Sequence, residues 1–162
     1  MVKTLSLCVA LLSLAFSVDA TANWQYTRWG MTQKQVQATS GKPTPLTPDE
    51  QTFNSAANSY EVALLQAPYS SGQYQFNAIF YFDRSKGTLT GVKLNLINID
   101  RAGELMGSLR KKYGTPSSEK RDAFLPYAIW FSGGDQISYL AIGDKSVSIR
   151  YTPRNSADNA GL

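Results

Sequence analysis

Few of the side chains that commonly do chemistry are present in this chain. Its 162 residues include no histidine and a single cysteine, Cys8. Histidine is the commonest general base and the commonest metal ligand, so zinc, copper and non-haem iron sites are not expected, nor are Ser-His or Cys-His nucleophiles. A single cysteine has no partner within the chain for a disulfide. We therefore expect no metal, no cofactor and no disulfide.

Carboxylates are the remaining candidates for catalysis. Two of them on either side of a glycosidic bond could act as acid and base or nucleophile. Most lie at predicted turns or helix ends, and Glu61 alone has mainly apolar neighbours. We predict a non-enzymatic protein, with a carboxylate-based glycan hydrolase as the alternative. The carboxylates beyond residue 22 are Asp49, Glu50, Glu61, Asp83, Asp100, Glu104, Glu119, Asp122, Asp135, Asp144 and Asp158.

Aromatic residues offer a different chemistry, which is binding. Most of the 3 Trp, 9 Tyr and 7 Phe residues fall at inward positions of predicted strands and would form a core. Tyr69, in a predicted Pro-Tyr-Ser-Ser-Gly loop, does not fit that pattern, and neither do Phe124, Leu125 and Tyr127. Exposed aromatic residues are typical anchors of protein interfaces. We predict that these four residues bind another envelope or secreted protein. The alternative is an inhibitor of a secreted or periplasmic hydrolase.

One basic cluster, Arg110, Lys111 and Lys112, stands near the end of a predicted helix. Positive charges there interact favourably with the helix dipole, which is a structural explanation. The alternative is a weak contact with anionic lipid headgroups. We expect no nucleic-acid binding, because no aromatic stacking platform accompanies the basic residues and the protein is predicted to be exported.

Residues 1–22 resemble a secretory signal peptide. Lys3 precedes an apolar run, residues 5–18, that is short for a membrane span. Small residues favour cleavage after Ala20 or Ala22. We expect a periplasmic or secreted protein, and a retained membrane anchor is the alternative.

The elements that would position these residues begin with a helix at 33–40. Thr32 is a suitable N-cap, and Gln35 three residues later completes a capping box. Met31 and Val36 can form a hydrophobic staple around the cap. Gly41, which is followed by Pro43, ends the helix.

Strands are predicted wherever apolar residues alternate with polar ones. Residues 42–58, rich in Pro, Thr, Ser and Asn, are predicted to be a loop. In the first strand Tyr60, Val62 and Leu64 are predicted to share a face, and Gly91 is predicted to mark a β-bulge. A second helix is predicted at 101–113. The predicted strands are 60–66, 73–83, 88–97, 127–132, 136–142 and 146–152.

This order of elements predicts an α+β domain over residues 23–153. It would consist of two tandem α-β-β-β units, about 29–97 and 98–153, because both helices end in Gly-x-Pro. Their helices would pack on one face of an antiparallel sheet. Residues 154–162 would form a flexible tail.

The segment Gly30-Met31-Thr32, with Gln35 and Val36 and then Gly41-x-Pro43, resembles the opening motif of the SmpA/OmlA (BamE-like) family. That family's fold is similar to the tandem helix-and-sheet repeats of the β-lactamase inhibitory protein. The resemblance implies the tandem fold and a protein-binding role in the bacterial envelope. The chain departs from the family pattern because it has no lipobox. The resemblance therefore does not imply lipid anchoring.

Overall fold

Residues 23–57 and 59–154 are described by the computed structural model. The predicted signal peptide, 1–22, lies outside the described residues, as does the predicted tail beyond Arg154. The elements are β1 (Asn23–Trp24), β2 (Thr27–Arg28), α1 (Gln33–Gln37), β3 (Thr44–Pro45), α2 (Pro48–Asn54), β4 (Glu61–Ser71), β5 (Tyr74–Asp83), β6 (Leu89–Leu96), α3 (Ala102–Tyr113), β7 (Ser118–Lys120), β8 (Tyr127–Ser132), β9 (Asp135–Ile142) and β10 (Ser146–Pro153).

One antiparallel sheet of eight strands dominates the fold, in the order β3-β4-β5-β6-β10-β9-β8-β7. The short strands β1 and β2 pair only with each other. Where β6 meets β10, Leu94 pairs with Ile149 and Lys93 with Arg150. This pairing joins the strands of the first half of the chain to those of the second half.

The predicted α+β class, with two tandem α-β-β-β units and helices packed on one face, is wrong. The two groups of strands merge because β6 and β10 hydrogen-bond, which leaves neither group a free edge at that point. The helices are also too short to form a layer. Helix α1 has 5 residues and buries only Val36, whereas α2 buries none. Helix α3 buries Leu105 and Leu109, so most of the core comes from the sheet itself.

One face of the sheet, which we call the core face, carries the main hydrophobic core. Strand β5 illustrates it, because Phe76, Phe80 and Phe82 are buried, as the alternation in the sequence predicts. Trp24 from β1 packs on Phe80 with the ring centroids 5.6 Å apart. Leu105 and Leu109 of α3 belong to the same cluster. The N-terminal hairpin and α3 therefore close this face.

The opposite face, which we call the open face, is mostly polar. Register places Lys93, Arg150 and Ser138 on it as neighbours across β6, β10 and β9. The residues that the structure describes cover one corner of it, where Leu46 joins Ala63, Ile79 and Tyr81 in a small apolar cluster beside α2. A polar, uncovered face is ordinary for an antiparallel sheet, and it is also where a ligand can lie.

Strand β4 does not keep a single alternation of side chains along its length. The sequence predicts that Tyr60, Val62 and Leu64 share a face, but Tyr60 is 70% exposed. The buried residues of β4 are Glu61, Ala63, Leu65 and Ala67. A register shift between Ala63 and Leu65 leaves Leu64 without a partner. Ala63 is thereby buried on the open face and Leu65 on the core face. Glu61 is buried through an ion pair from a distant strand, which alternation alone does not reveal.

The predicted loop at 42–58 contains β3 and α2. Thr47 caps α2, since its hydroxyl accepts from the Glu50 amide at 3.3 Å and the Glu50 carboxylate accepts from the Thr47 amide at 2.8 Å. Pro48 stands in the first turn of this helix, where proline is tolerated. Within the described ranges, no helix is both long and apolar enough to cross a membrane.

Candidate functional site

The segment that leads into β8 is held in place by hydrogen bonds from its backbone to the Asp122 side chain and to Gly143. The Asp122 carboxylate accepts from the amides of Phe124 at 2.8 Å and Leu125 at 2.9 Å. These amides and Lys120 lower the pKa of Asp122 to about 2. The Phe124 carbonyl in turn accepts from the Gly143 amide at 2.7 Å. The segment is therefore anchored beside the turn that ends β9.

Four apolar side chains are exposed at this place. Phe124 is 70% exposed and Leu125 is 41% exposed, while Leu140 and Ile142 at the end of β9 are 39% and 42% exposed. We call these four residues the apolar patch. Tyr127, which pairs with Leu140 across β8 and β9, is half-buried beside it. An anchored group of exposed apolar side chains is typical of a contact surface.

An ion pair crosses the middle of the open face. Arg150 extends from β10 and pairs with Glu61 on β4, three strands away in the sheet. Its guanidinium passes above the Tyr81 ring, 4.4 Å from the centroid. The Thr90 hydroxyl donates a second hydrogen bond to Glu61 at 2.6 Å. The carboxylate, 8% exposed, is thus held by a cation and a hydroxyl.

Lys93 lies directly opposite Arg150 on the same face. Burial lowers the pKa of Lys93, and the positive charge of Arg150 lowers it further. Among the described residues, no carboxylate lies within 4 Å of the Lys93 ammonium group. Like charges that face each other across paired strands are destabilising. Two cations, Lys93 and Arg150, therefore lie near the Glu61 carboxylate in this part of the open face.

Two adjoining depressions surround these charges. One, of about 480 Å³, lies between Tyr60 and β9. The other, of about 380 Å³, is walled on one side by residues 54–56 and Ser59. Both are lined by Glu61, Ser138 and Arg150, so they form one groove, which we call the polar groove. Leu140 lines the second depression as well. The groove therefore shares Leu140 with the apolar patch.

The two buried carboxylates do not form a hydrolytic pair. Glu61 lies on the open face, whereas Asp135 lies on the core face, where it pairs in register with Ser132 of β8. Asp135 accepts from the Trp29 indole nitrogen at 2.7 Å. Burial raises the pKa of Asp135, and this hydrogen bond opposes the rise. Over the described residues, no cluster of three His, Cys, Asp or Glu side chains is suited to a metal.

Of the residues predicted to bind a partner, Phe124, Leu125 and Tyr127 lie together, but Tyr69 does not join them. Tyr69 is in β4 rather than in a loop, and it is half-buried. Its ring packs on Trp24, with centroids 5.1 Å apart, and its hydroxyl accepts from Gln25. The packing of Tyr69 accounts for its position without a partner.

The basic cluster at the end of α3 is partly neutralised. Arg110 forms an ion pair with Glu119, which also accepts from Arg121 at 2.8 Å. Lys112 lies 4.9 Å from the centroid of the Tyr113 ring. Lys111 is exposed. The arrangement does not concentrate positive charge towards a single ligand.

Sequence reasoning missed the polar groove. Lys93 and Arg150 occupy polar positions of alternating strands, which indicates only that they point away from the core. Their proximity depends on the pairing of β6 with β10, which no local pattern encodes. The one usable signal was Gly91, since a glycine inside a strand marks a bulge or a close approach.

Comparison with known proteins gives a distant structural similarity and no family. No protein-family model matches the chain, and no curated protein matches it. Among solved structures, it is similar to a DUF4309 family protein, YjgB, from Bacillus subtilis. The identity is 14% over 76% of this chain and 78% of that chain, with a TM-score of 0.46. At this distance the likeness carries no argument about function.

Proposed function

We propose that this protein is an exported, non-enzymatic protein-binding module of the bacterial cell envelope. The observation that carries the proposal is the apolar patch, in which Phe124 and Leu125 are exposed but fixed in position. The signal-peptide-like sequence of residues 1–22 supports export. The absence of histidine from the sequence argues against Ser-His and Cys-His hydrolases.

Exposed apolar residues are common, so the grouping matters more than the exposure. Phe53 on α2 is 90% exposed, but no other residue of that helix is a large exposed hydrophobic residue. The apolar patch instead combines one aromatic and three aliphatic side chains on two neighbouring segments. Because the Asp122 hydrogen bonds already fix the loop, a partner would lose little conformational entropy by docking on it. Such preorganised aromatic anchors dominate the affinity of many protein interfaces.

Site-specific cross-linking tests this proposal. Phe124 is replaced by the photoreactive benzoylphenylalanine, and the full-length protein is irradiated in the envelope of its host. We expect one adduct of defined mass. The same replacement at Phe53 is the matched control, because that residue is equally aromatic and more exposed. Identical adducts from both positions would contradict a specific surface.

Substitution gives the second arm of the test. Phe124→Ala together with Leu125→Ala should weaken capture of the cross-linked partner by at least about tenfold, since each anchor is expected to contribute more than about 1 kcal/mol. Phe53→Ala should leave capture unchanged. If the double variant captures the partner as well as the original protein does, the binding surface lies elsewhere.

A further inference from the structure

An imbalance of charge on the open face concerns three side chains. Lys93 and Arg150 face each other across β6 and β10, and Glu61 supplies the only carboxylate that pairs with either of them among the described residues. The three groups therefore carry one more positive charge than negative. Two opposed cations on neighbouring strands are unfavourable, and Lys93 is half-buried as well. Fold stability alone gives no reason to keep a lysine here.

The position of this charge gives it a role. Lys93, Arg150 and Leu140 line the same depression, and Leu140 belongs to the apolar patch. A partner that covers Leu140 would thus also reach the polar groove. Any charge that the partner places there would be removed from water. Its attraction to the lysine would then be stronger than at an exposed surface.

We infer that the polar groove receives a carboxylate from the docking segment of the partner protein, with Lys93 as its counter-ion. This inference rests on the proposed function and specifies the chemistry of the partner: an acidic side chain next to an apolar one. Ser138 and Ser148, which also line the depression, place hydroxyl donors beside the lysine. Arg150 is committed to Glu61, so it holds the shape of the groove.

A carboxylate fits the groove better than a phosphate does. One negative charge neutralises the three-residue set, whereas a phosphate monoester carries about −1.5 to −2 at neutral pH and would overcompensate beside Glu61. The groove also continues into apolar side chains. A segment that alternates acidic and apolar residues matches both features.

The test is an NMR titration of the full mature chain with an end-capped tetrapeptide that has one glutamate between leucines. We expect saturable amide shifts in β6 and β10 around Lys93 and Arg150. The glutamine analogue of the peptide should bind with an affinity at least about tenfold lower in the same titration. Equal shifts from the two peptides, or none from either, would overturn the inference.

Two further probes identify other anions. Inorganic phosphate that binds at the same amides more tightly than the glutamate peptide would make this a free-phosphate site and overturn the inference. Vesicles of anionic lipid that bind the protein only when Lys93 is present would make it a membrane contact, with the same consequence. We expect neither.

The variant Lys93→Met supplies the control for structure. It should abolish the glutamate-peptide shifts. It should not lower the melting temperature, because it removes an unfavourable charge. Lys86→Met, at the exposed turn between β5 and β6, changes the net charge equally and should leave the shifts intact. Retained shifts in Lys93→Met, or their loss in Lys86→Met, would contradict the assignment.

Failure of this inference and failure of the proposed function have different signatures. With the cross-linked partner in hand, Lys93→Met should weaken capture about tenfold and reduce its dependence on salt. If it does neither while the Phe124 and Leu125 variant still loses capture, the inference fails and the proposed function stands. If the Phe124 and Leu125 variant still captures the partner, the binding surface assigned in the proposed function is wrong.

Discussion

The guanidinium of Arg150 lies over the ring of Tyr81, 4.4 Å from its centroid, although the two residues come from strands that do not pair. Strand β6 runs between them, and the residue beneath the arginine is Gly91. A Cβ atom built on Gly91 would lie 3.0 Å from a terminal nitrogen of Arg150. The missing side chain of Gly91 therefore lets the arginine cross β6 and reach Glu61.

Gly91→Ala should consequently displace the Arg150 side chain. Alanine in a strand is normally favoured over glycine by about 0.5–1 kcal/mol. Here we expect the opposite sign, a loss of stability of about 1 kcal/mol, because the alanine methyl group would push Arg150 away from Glu61. Urea unfolding measures the change. In a background with Arg150→Met and Glu61→Gln, the same substitution should cost less, because the remaining close contacts are the Thr152 methyl at 3.3 Å and the Tyr151 carbonyl at 3.4 Å. An equal loss in both backgrounds would contradict this explanation.

Glu61→Gln should be one of the most destabilising single substitutions on the open face. It leaves Arg150 without a charge partner and Lys93 facing it, and breaking a buried ion pair from one side costs about 3 kcal/mol. Thermal unfolding at low salt should show the largest effect. Adding Lys93→Met to Glu61→Gln should restore part of the loss by removing one of the two cations. No restoration would mean that the two cations do not repel each other appreciably.

The hairpin of β5 and β6 illustrates what the sequence predicts well. The alternation of apolar and polar residues predicts which side chains of these strands face the core. The bulge predicted at Gly91 is confirmed by the register shift between Tyr81 and Phe82. The capping box of Thr32 and Gln35 is confirmed as well. These features depend on residues close in the chain, whose local geometry is enough to determine them.

The errors have longer-range causes. Glu61 is buried by Arg150, 89 residues away, and the tandem units fail because β6 pairs with β10. Neither pairing leaves a local pattern. Helix α2 is different, because Thr47-Pro48-Asp49-Glu50 contains a capping box with proline at the first helical position. That signal was present, but the prolines around it led to the prediction of a loop.

Asp135→Asn should make the protein more stable at neutral pH. Because burial raises the pKa of Asp135 in the folded state, ionisation favours the unfolded chain, whose carboxyl has the ordinary value of 3.8. The destabilisation appears as pH rises above that value and is complete above the folded-state pKa. Asparagine keeps an acceptor for the Trp29 indole. We expect a higher melting temperature for the variant at pH 7 that converges with the original at pH 3.

Trp29→Phe is the complementary change. It removes the one side-chain donor that the Asp135 carboxylate has among the described residues, so the protein should lose about 1–3 kcal/mol at neutral pH. Combined with Asp135→Asn, the loss should be smaller, because a neutral amide costs less to leave unpaired. If the two substitutions were simply additive in unfolding experiments, the hydrogen bond would not be what couples these residues.

Two capping boxes in one chain allow a matched comparison of helix starts. Thr32 caps α1, whose entry is tied to β6 by the Gly30 amide to the Leu89 carbonyl at 3.0 Å and by the Leu89 amide to the Met31 carbonyl at 2.8 Å. Helix α1 also buries Val36 in the core. Thr47 caps α2, which buries no residue of its own.

Thr32→Ala should therefore lower the global stability by about 1 kcal/mol, or about 4 °C in melting temperature for a domain of this size. Thr47→Ala should leave the melting temperature nearly unchanged and act locally, because α2 can open without disturbing the core. Hydrogen exchange should then show faster exchange at the Gln51 amide, which bonds to the Thr47 carbonyl at 2.9 Å. Equal losses of melting temperature in the two variants would mean that α2 is as firmly coupled to the sheet as α1.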